Sequence, residues 1–511
     1  MHIPDRWVAL LLVLMVGLVF FAHLPVTYDF DGTVFSQMLR YTLVRGELVS
    51  ALQPHHFLYF PLNHALYRIL QAATGYRVLE YFHLQLFSLM FGLGALFLVY
   101  LILARLVAVR VFAWLGTIAI AFSFGFWYYA VQAEVDMPAL FFLLWGFYLL
   151  LEDRPGRARL VLAAVVLALA AGFHLTSVLI SVSVGLVLLA RRRPLRDAWV
   201  FFAVYGSIVA GFLLVHFLLT GVDPLTGLWR YLFAANRLTG HQPGYWSRLS
   251  PATLVASLET VASGIVYPAV RGSGFLSAAV LLLMAGVILW VAVRRRCGTF
   301  PRFALLWMFP HLLFFTLWVP GNVGFKLNVI VTLMILFVAC LSRLSRPLVR
   351  GGVLLVCTLL IPAWQFFAVI QPADRAENNR PLQLARAVGR NTPAESVLVI
   401  AGCGSPASIY GKIYVPYFGH RRVLILDWLL GRMGGLAGVE ERIRAEQQRG
   451  RVVYVLSELL VPGRASARLA ADQGVSEREI LDFFSTRVDA GTRIPLVDGY
   501  HLVRIARGPE R

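Results

Sequence analysis

Long apolar segments recur along this chain of 511 residues and constrain its fold more than any other feature. A helix needs about 20 mostly apolar residues to cross the ~30 Å hydrocarbon core of a membrane. Runs of this kind occur about eleven times, in a chain that is 59% hydrophobic and 14% charged. We therefore predict a multispan α-helical membrane protein, with spans near 7–26, 82–103, 111–130, 137–151, 159–173, 175–190, 198–219, 276–293, 303–319, 326–342 and 352–370.

Arginine in the short loops indicates how these spans are oriented. Alternate loops are rich in arginine, near 105–110, 154–159, 191–196, 294–302 and 343–350. The turns between them contain neither Lys nor Arg, near 131–136, 173–175 and 320–325. The positive-inside rule then predicts a cytoplasmic N-terminus and an extracytoplasmic tail from residue 371 onward. The net charge of +19 is thereby a topology signal, and nucleic acid is excluded as a partner.

The segments outside the spans predict two further parts of the architecture. In the loop 27–81, helical spacing of apolar residues and the stretch FLYFPLNHALYRIL predict two juxtamembrane helices that lie along the membrane surface. Beyond residue 371, short β-branched runs alternate with helical stretches. This alternation predicts a small extracytoplasmic α/β domain with a largely parallel sheet over 371–511, after a transmembrane domain over 1–370.

Carboxylates are rare in this chain, and several stand where spans end on the outer side. Asp29 and Asp31 follow the first apolar run, and Glu134 and Asp136 follow the third. His174 occupies the tight outer turn between the fifth and sixth runs. Ionisable groups at the membrane edge are costly unless they are paired, solvated or used, so they indicate a functional site. The topology predicts that these groups share one face of the membrane.

Four short motifs of the outer loops resemble a known family. They are Asp29-Phe30-Asp31-Gly32, Pro54-His55-His56, Ala133-Glu134-Val135-Asp136 and Gly172-Phe173-His174-Leu175-Thr176. They are similar to motifs of multispan proteins related to the protein O-mannosyltransferases. More broadly, the chain resembles the GT-C superfamily of integral-membrane glycosyltransferases, over roughly residues 27–180.

This resemblance implies a glycosyltransferase of the cell envelope that acts on the extracytoplasmic face of a bacterial inner membrane. The implied reaction moves a hexose or pentose from a polyprenyl-phosphate-linked donor to a protein, lipid or glycan acceptor. A carboxylate within reach of the acceptor hydroxyl would take its proton. The first acid after the first span is the usual base in the superfamily, which favours Asp29, with Asp31 as the alternative. Substrate binding is then expected of Glu134, Asp136, His174, His55 and His56.

The leaving phosphate of such a donor calls for positive charge nearby. Lys326, Arg230 and Arg237 lie on the outer side and are the candidates for this role. Some members of the superfamily use a divalent cation, and no His-x-x-x-His or similar spacing in this chain decides for or against one. Metal use is therefore left open at this stage.

Two other classes of function remain as alternatives. A transporter or lipid flippase would share the apolar runs, although no internal repeat of the kind found in many transporters stands out. A non-catalytic membrane assembly factor would share the scaffold, and Thr33 stands where the resembled family has a glutamate. Transfer activity with a polyprenyl-phosphate sugar would distinguish the glycosyltransferase hypothesis from these two alternatives.

Overall fold

The computed structural model describes residues 5–46, 48, 52–223, 226, 247–267, 274–294 and 299–506. These residues form two compact units. The first unit comprises residues 1–25 and 38–372, and the second comprises residues 26–37 and 373–511. The segment 26–37 is thus grouped with the C-terminal residues, although in sequence it lies between the first two apolar runs.

The first unit is helical. Its α-helices in chain order are α1 (Asp5–Ala22), α2 (Phe30–Arg45, of which residues 30–37 are grouped with the second unit), α3 (Tyr59–Thr74), α4 (Glu80–Leu106), α5 (Arg110–Ala121), α6 (Phe124–Val131), α7 (Asp136–Leu150), α8 (Arg157–Phe173), α9 (Ile180–Ala190), α10 (Leu195–Thr220), α11 (Pro251–Ile265), α12 (Gly274–Val293), α13 (Phe300–Leu317), α14 (Leu327–Leu341) and α15 (Pro347–Gln365). Short 3₁₀ turns occur at Pro54–His56, Leu175–Leu179 and Gly324–Lys326. A π turn, Phe366–Ile370, and one further α-turn, Gln371–Ala373, continue α15.

Seven helices of the described chain are long and apolar enough to cross a membrane. They are Asp5–Ala22, Glu80–Leu106, Leu195–Thr220, Gly274–Val293, Phe300–Leu317, Gly324–Leu341 and Pro347–Ala373. Helices α5 and α6 make an eighth if the bent pair is one span. The prediction of a multispan helical membrane fold is confirmed, while the structure supports fewer spans by length than the eleven expected.

The third predicted span, 111–130, is not one straight helix. Helix α5 ends at Ala121, α6 begins at Phe124, and their axes differ by 64°. Ser123 lies between them with an extended backbone, φ −64° and ψ 145°. Its hydroxyl donates to the carbonyl of Ile120 over 2.7 Å. A serine that bonds the preceding turn in this way competes with the helical hydrogen-bond ladder, and the helix breaks here.

The two helices expected in the loop 27–81 are present as α2 and α3. Helix α3 buries Tyr59, Phe60 and Tyr67. It ends at Gly75, whose left-handed backbone, φ 69°, allows its N–H to bond the carbonyl of Gln71 over 3.0 Å. This is the usual glycine ending of a helix. Their placement along a membrane surface stays a prediction.

The second unit contains a five-stranded sheet with helices on both faces. Its elements after residue 373 are α16 (Arg380–Asn391), β1 (Val397–Ile400), α17 (Pro406–Phe418), β2 (Arg422–Ile425), α18 (Leu426–Arg432), α19 (Leu436–Gln448), β3 (Val453–Leu456), α20 (Arg464–Gln473), α21 (Glu477–Ser485), β4 (Val488–Pro495) and β5 (His501–Ile505). Alternate residues of β1 face opposite cores, with Val397 and Val399 in one and Leu398 and Ile400 in the other.

The strand order is β2-β1-β3-β5-β4. Strands β2, β1 and β3 are parallel, whereas β5 runs antiparallel to both β3 and β4. The expected largely parallel sheet is therefore a mixed sheet. Strand β5 runs against β4 because the connection between them is short, with positive φ at Asp498 and Gly499. A tight turn joins antiparallel neighbours, since a parallel pair needs a long crossover.

Candidate functional site

The first-loop acids lie at the start of helix α2, in the second unit. Asp29 directly precedes the helix, and Asp31 is in its first turn. The side chain of Asp29 accepts a hydrogen bond from the backbone N–H of Asp31 over 2.9 Å. The Asp29 carbonyl accepts another from the hydroxyl of Thr33 over 2.7 Å. Asp29 thus caps the helix, as aspartates commonly do, and this capping bond holds its carboxylate beside the first turn.

Helix α17 holds the residue just before these acids. The hydroxyl of Tyr414 donates a hydrogen bond to the backbone carbonyl of Tyr28. The ring of Tyr28 also stacks on that of Phe418, with centroids 5.0 Å apart and planes 16° from parallel. Tyr414 and Phe418 both belong to α17, so this helix positions the chain at the entry to the acid pair.

The two ends of the segment 26–37 are held as well. The side-chain amide of Asn379 donates to the carbonyl of Val26 over 2.6 Å. The side-chain amide of Gln37 donates to the carbonyl of Ile413 over 2.6 Å. Each such bond to a partly buried carbonyl stabilises by about 1 kcal/mol. The acid pair therefore sits on a segment that is anchored at both ends.

The surroundings of Asp31 weaken the acidity of its carboxyl group. Although Asp31 is solvent-exposed by surface area, crowding of its carboxyl by protein atoms and then the charge of Asp29 raise the pKa of Asp31 to about 6. Such a value is suited to a general base, because the group is ionised at pH 7 and still accepts a proton readily. Carboxylates are also the oxygen ligands that Mg²⁺ and Ca²⁺ prefer, so the same pair could contribute to a cation site.

Glu134 belongs to the first unit and lies in the turn between α6 and α7. It is only 6% exposed. The hydroxyl of Ser88 donates to the backbone carbonyl of Glu134 over 3.0 Å, and the backbone N–H of Glu134 donates to the Ser88 hydroxyl oxygen over 3.2 Å. Burial and then the charge of Glu134 raise the pKa of Tyr59 well above its usual value. The backbone of Glu134 is therefore fixed, and its carboxylate acts electrostatically on a buried tyrosine.

The three predicted histidines form a cluster in the first unit. The rings of His55 and His56 are 4.2 Å apart, and those of His56 and His174 are 5.1 Å apart. His174 also pairs with the hydroxyl of Thr176 over 2.6 Å, and its Nε2 lies 4.0 Å from a carboxylate oxygen of Asp136. The structure thus brings His55, His56, His174 and Asp136 together.

These histidines are neutral at physiological pH. Burial and then the charge of His216 lower the pKa of His55 to about 4. Burial and then the charge of His55 lower the pKa of His174 to about 3. Neutral imidazoles carry one donor and one acceptor each, so the cluster offers hydrogen bonds and no positive charge to a substrate.

Lys326 is the predicted phosphate-binding cation that lies within the described residues. Lys326 is fully buried in the first unit and donates from Nζ to the carbonyl of Pro320 over 2.6 Å. An ammonium group has three donors, so this bond leaves it the capacity to bind an anion. Arg230 and Arg237 lie outside the residues that the structure describes.

Sequence reasoning missed several residues that position these groups. Ser88, Tyr414 and Asn379 belong to no motif, and their roles depend on partners far away in the chain. His311 and Asn328 were missed too, although a polar residue inside an apolar run is itself a signal of function.

Part of the sequence matches a known protein-family model. The family model of the protein O-mannosyl-transferase TMEM260 N-terminal domain matches residues 85–197. This is a minority of the chain, and it includes the region of Glu134, Asp136 and His174. No curated protein matches the sequence at a significant level.

Solved structures resemble nearly the whole chain. ArnT from Cupriavidus metallidurans in the apo state aligns with a TM-score of 0.61 and 15% identity, over 99% of both chains. The same protein bound to undecaprenyl phosphate aligns with a TM-score of 0.63 and 13% identity, over 99% of this chain and 100% of that one. The chain has the fold of the GT-C glycosyltransferases. A third structure is that of the Archaeoglobus fulgidus oligosaccharyltransferase, tethered with an acceptor peptide containing the NVT sequon. It aligns with this chain at a TM-score of 0.51 and 11% identity, over 98% of this chain and 74% of that one.

Proposed function

We propose that this protein is a membrane glycosyltransferase that moves a sugar from a polyprenyl-phosphate donor to an acceptor hydroxyl on the extracytoplasmic face. The observation that carries the proposal is the anchored pair of Asp29 and Asp31 at the start of α2, in a chain with a GT-C fold. The ArnT structure that contains undecaprenyl phosphate supports a polyprenyl-phosphate donor.

The acid pair supplies the base. The oxygen of the acceptor hydroxyl attacks the anomeric carbon of the donor sugar, and the hydroxyl proton passes to the carboxylate of Asp29 or Asp31. The bond from the anomeric carbon to the phosphate oxygen breaks, and polyprenyl phosphate leaves. Proton transfer to a positioned carboxylate contributes typically 10²–10⁴-fold to such a rate. The pKa of Asp31, raised to about 6, supports Asp31 as the acceptor of the proton.

Other residues bind the substrates in this proposal. Lys326, with Arg230 and Arg237, offers positive charge to the leaving phosphate. The neutral cluster of His55, His56 and His174, together with Asp136, offers hydrogen bonds to hydroxyl groups. Glu134 completes the acceptor or donor pocket, as its motif predicts. Membrane lipids and a protein, lipid or glycan acceptor are the expected partners.

The proposal places the reaction on the outer face of a bacterial inner membrane. Eleven spans with a cytoplasmic N-terminus satisfy the arginine distribution. Besides the seven long helices and the bent pair, α7, α8 and the segment Leu175–Ala190 would make up the number of eleven. Helix α7 and the segment Leu175–Ala190 are apolar but shorter than a standard span. Shorter spans are tolerated where the bilayer thins or flanking residues reach the interface.

The test is transfer in a defined system. The purified protein in lipid nanodiscs is supplied with a panel of polyprenyl-phosphate hexoses and pentoses and with peptide, lipid and glycan acceptors, and products are identified by mass spectrometry. Replacing the base by Asn keeps its shape and removes proton acceptance, so Asp29→Asn or Asp31→Asn should lower kcat by at least about 10²-fold.

Asp482→Asn is the matched control, because Asp482 is an exposed helical aspartate whose ion pair with Arg478 spans 3.6 Å at the surface. Such pairs contribute little. If both first-loop variants transfer sugar as fast as the control, the mechanism is wrong. If the wild type transfers no sugar from any donor, the transporter or assembly-factor alternatives replace the proposal.

A further inference from the structure

A small polar cavity lies inside the first unit, beside Asp136 and His174, and two of its lining residues, His311 and Asn328, have no role assigned above. Its volume is about 30 Å³, and it is bounded by α7, the turn after α8, the end of α13 and the start of α14. The polar residues that line it include Asp136, His174, His311 and Asn328, and Phe315 and Phe325 form an apolar wall. A cavity of this volume holds roughly two water molecules.

Two of the lining side chains are buried without a hydrogen-bond partner. His311 is 3% exposed, and neither of its ring nitrogens bonds any described residue. Asn328 is 5% exposed, and its Nδ2 likewise bonds none, although its Oδ1 accepts from Trp307 over 3.2 Å. Native proteins pair nearly all buried polar groups. Both residues line a cavity that can hold a partner for these atoms, so we expect that partner to be a bound molecule.

The chemistry of the lining selects the kind of molecule. Asp136 carries the negative charge of the cavity, and no Lys or Arg is among its described lining residues. A phosphate is therefore disfavoured. A hydroxyl group suits the site, because it donates to a carboxylate or an imidazole nitrogen and accepts from the amide N–H of Asn328. The rings of Phe315 and Phe325 stack 5.2 Å apart and offer an apolar surface beside these groups.

We propose that this cavity binds one hydroxyl-bearing arm of a sugar. The arm is held by Asp136, His311 and Asn328, which belong to α7, α13 and α14, and by His174 in the turn after α8. The inference rests on the proposed function, which supplies sugars in two places, the donor and a glycan acceptor. In the absence of sugar the cavity holds ordered water, and the hydroxyl group takes the position of that water and reproduces its hydrogen bonds.

The consequence is selectivity for one hydroxyl group. A site built to bond a hydroxyl rejects the analogue that lacks it far more strongly than an apolar pocket rejects a missing methylene. His311 and Asn328 are then specificity-determining residues. Their removal lowers transfer of the complete sugar and abolishes discrimination against one particular deoxy sugar.

The experiment compares donors and acceptors that lack single hydroxyl groups. Transfer by the nanodisc protein is measured with the donor sugar found in the panel and with each of its monodeoxy forms, and then with monodeoxy forms of a glycan acceptor. One deoxy form should lose at least about 10²-fold in kcat/KM with the wild type. His311→Phe should transfer the complete sugar at least about tenfold more slowly, without discriminating against that deoxy form. The arm in which discrimination appears identifies donor or acceptor as the source.

The variants include a conservative one and a control. His311→Gln keeps a donor and an acceptor, and should restore part of the discrimination, which a merely structural role of His311 would not predict. Thr332→Val is the control, since Thr332 is a buried residue of α14 whose hydroxyl also bonds no described residue and does not line the cavity. It should behave as the wild type does.

Two results overturn the inference while leaving the proposed function intact. One is that all deoxy forms lose kcat/KM to the same extent, in the wild type as in His311→Phe, in which case the cavity holds water only. The other is undiminished discrimination in His311→Phe. Failure of the proposed function looks different, because the wild type would then transfer no sugar at all. In that event the cavity is tested by binding: the affinity for a labelled polyprenyl-phosphate sugar is compared with the affinity for polyprenyl phosphate alone. If the wild type gains no affinity from the sugar, or if His311→Phe keeps the whole gain, the inference is overturned.

Discussion

The hydroxyl of Tyr414 donates a hydrogen bond to the main-chain carbonyl of Tyr28, one residue before Asp29 and 386 positions away from its donor. Helix α17 thus supports the entry to the acid pair from within the second unit. Because the bond is made to the backbone, it constrains where the chain turns into α2, whatever side chain stands at position 28. The C-terminal residues therefore position the proposed catalytic segment.

Removing this one hydroxyl should lower transfer. Tyr414→Phe deletes a bond of about 1 kcal/mol and allows the segment before Asp29 to shift. Small displacements of a catalytic group are costly, so kcat should fall about tenfold with little change in KM. Tyr454→Phe is the control, because Tyr454 belongs to the same hydrophobic cluster. Equal kcat values for the two variants would refute the positioning role.

The pH dependence of transfer distinguishes the two first-loop acids. A base must be ionised, so if Asp31 is the base, kcat/KM should fall as pH drops below about 6. Because the charge of Asp29 contributes to this raised pKa, Asp29→Asn should keep activity and move the acidic limb to lower pH. If Asp29 is the base, the same variant should lose transfer at every pH.

The same pKa shift has the opposite sign for stability. The pKa of Asp31 is raised from 3.8 to about 6 in the folded chain, so folding favours its protonated form. The resulting stability is fully present below about pH 4 and is lost as pH rises through about 6. Asp31→Asn should therefore raise the thermal unfolding temperature at pH 7 relative to the wild type. A lowered temperature at pH 7 would contradict the shift.

Glu134 should contribute its charge and not its shape. Its backbone is held by Ser88, so Glu134→Gln should leave the turn in place and lower transfer by about tenfold or more at unchanged expression. Glu152→Gln is the control, because that carboxylate is 46% exposed at the other end of α7. Transfer that falls only in proportion to expression would show that Glu134 is structural.

The apolar pattern predicted the seven helices of the described chain that are long enough to cross a membrane, and the spacing in the loop 27–81 predicted α2 and α3. It did not predict α11, which lies in the expected outer loop 220–275. The break at Ser123 was not predictable from hydropathy, because a single serine in an apolar run is compatible with a continuous helix. The grouping of residues 26–37 with the C-terminal unit was not predictable either. It depends on bonds such as that of Gln37 to Ile413, 376 positions apart. Periodicity reports which residues are apolar and says nothing about such distant partners.

Reporter fusions test the predicted orientation. A fusion at Arg192, in an arginine-rich loop, should show cytoplasmic activity, and a fusion at Gly450 should show extracytoplasmic activity. Both sites lie on exposed turns of the described chain. A cytoplasmic signal from Gly450 would overturn both the topology and the outer-face location of the reaction.

The packing of α7 on α8 should be sensitive to a single methyl group. A Cβ atom at Gly146 would lie 2.4 Å from Cδ2 of Leu167, which is far inside van der Waals contact. Close helix pairs in membranes rely on such small residues, and overpacking costs about 1–3 kcal/mol. Gly146→Ala should therefore lower the thermal unfolding temperature in detergent. Gly206→Ala is the matched control, since a Cβ there meets nothing within 4 Å. Alanine is the better helix former, so this variant should unfold at the same or a higher temperature. Equal destabilisation of both variants would mean that α7 and α8 do not pack through Gly146.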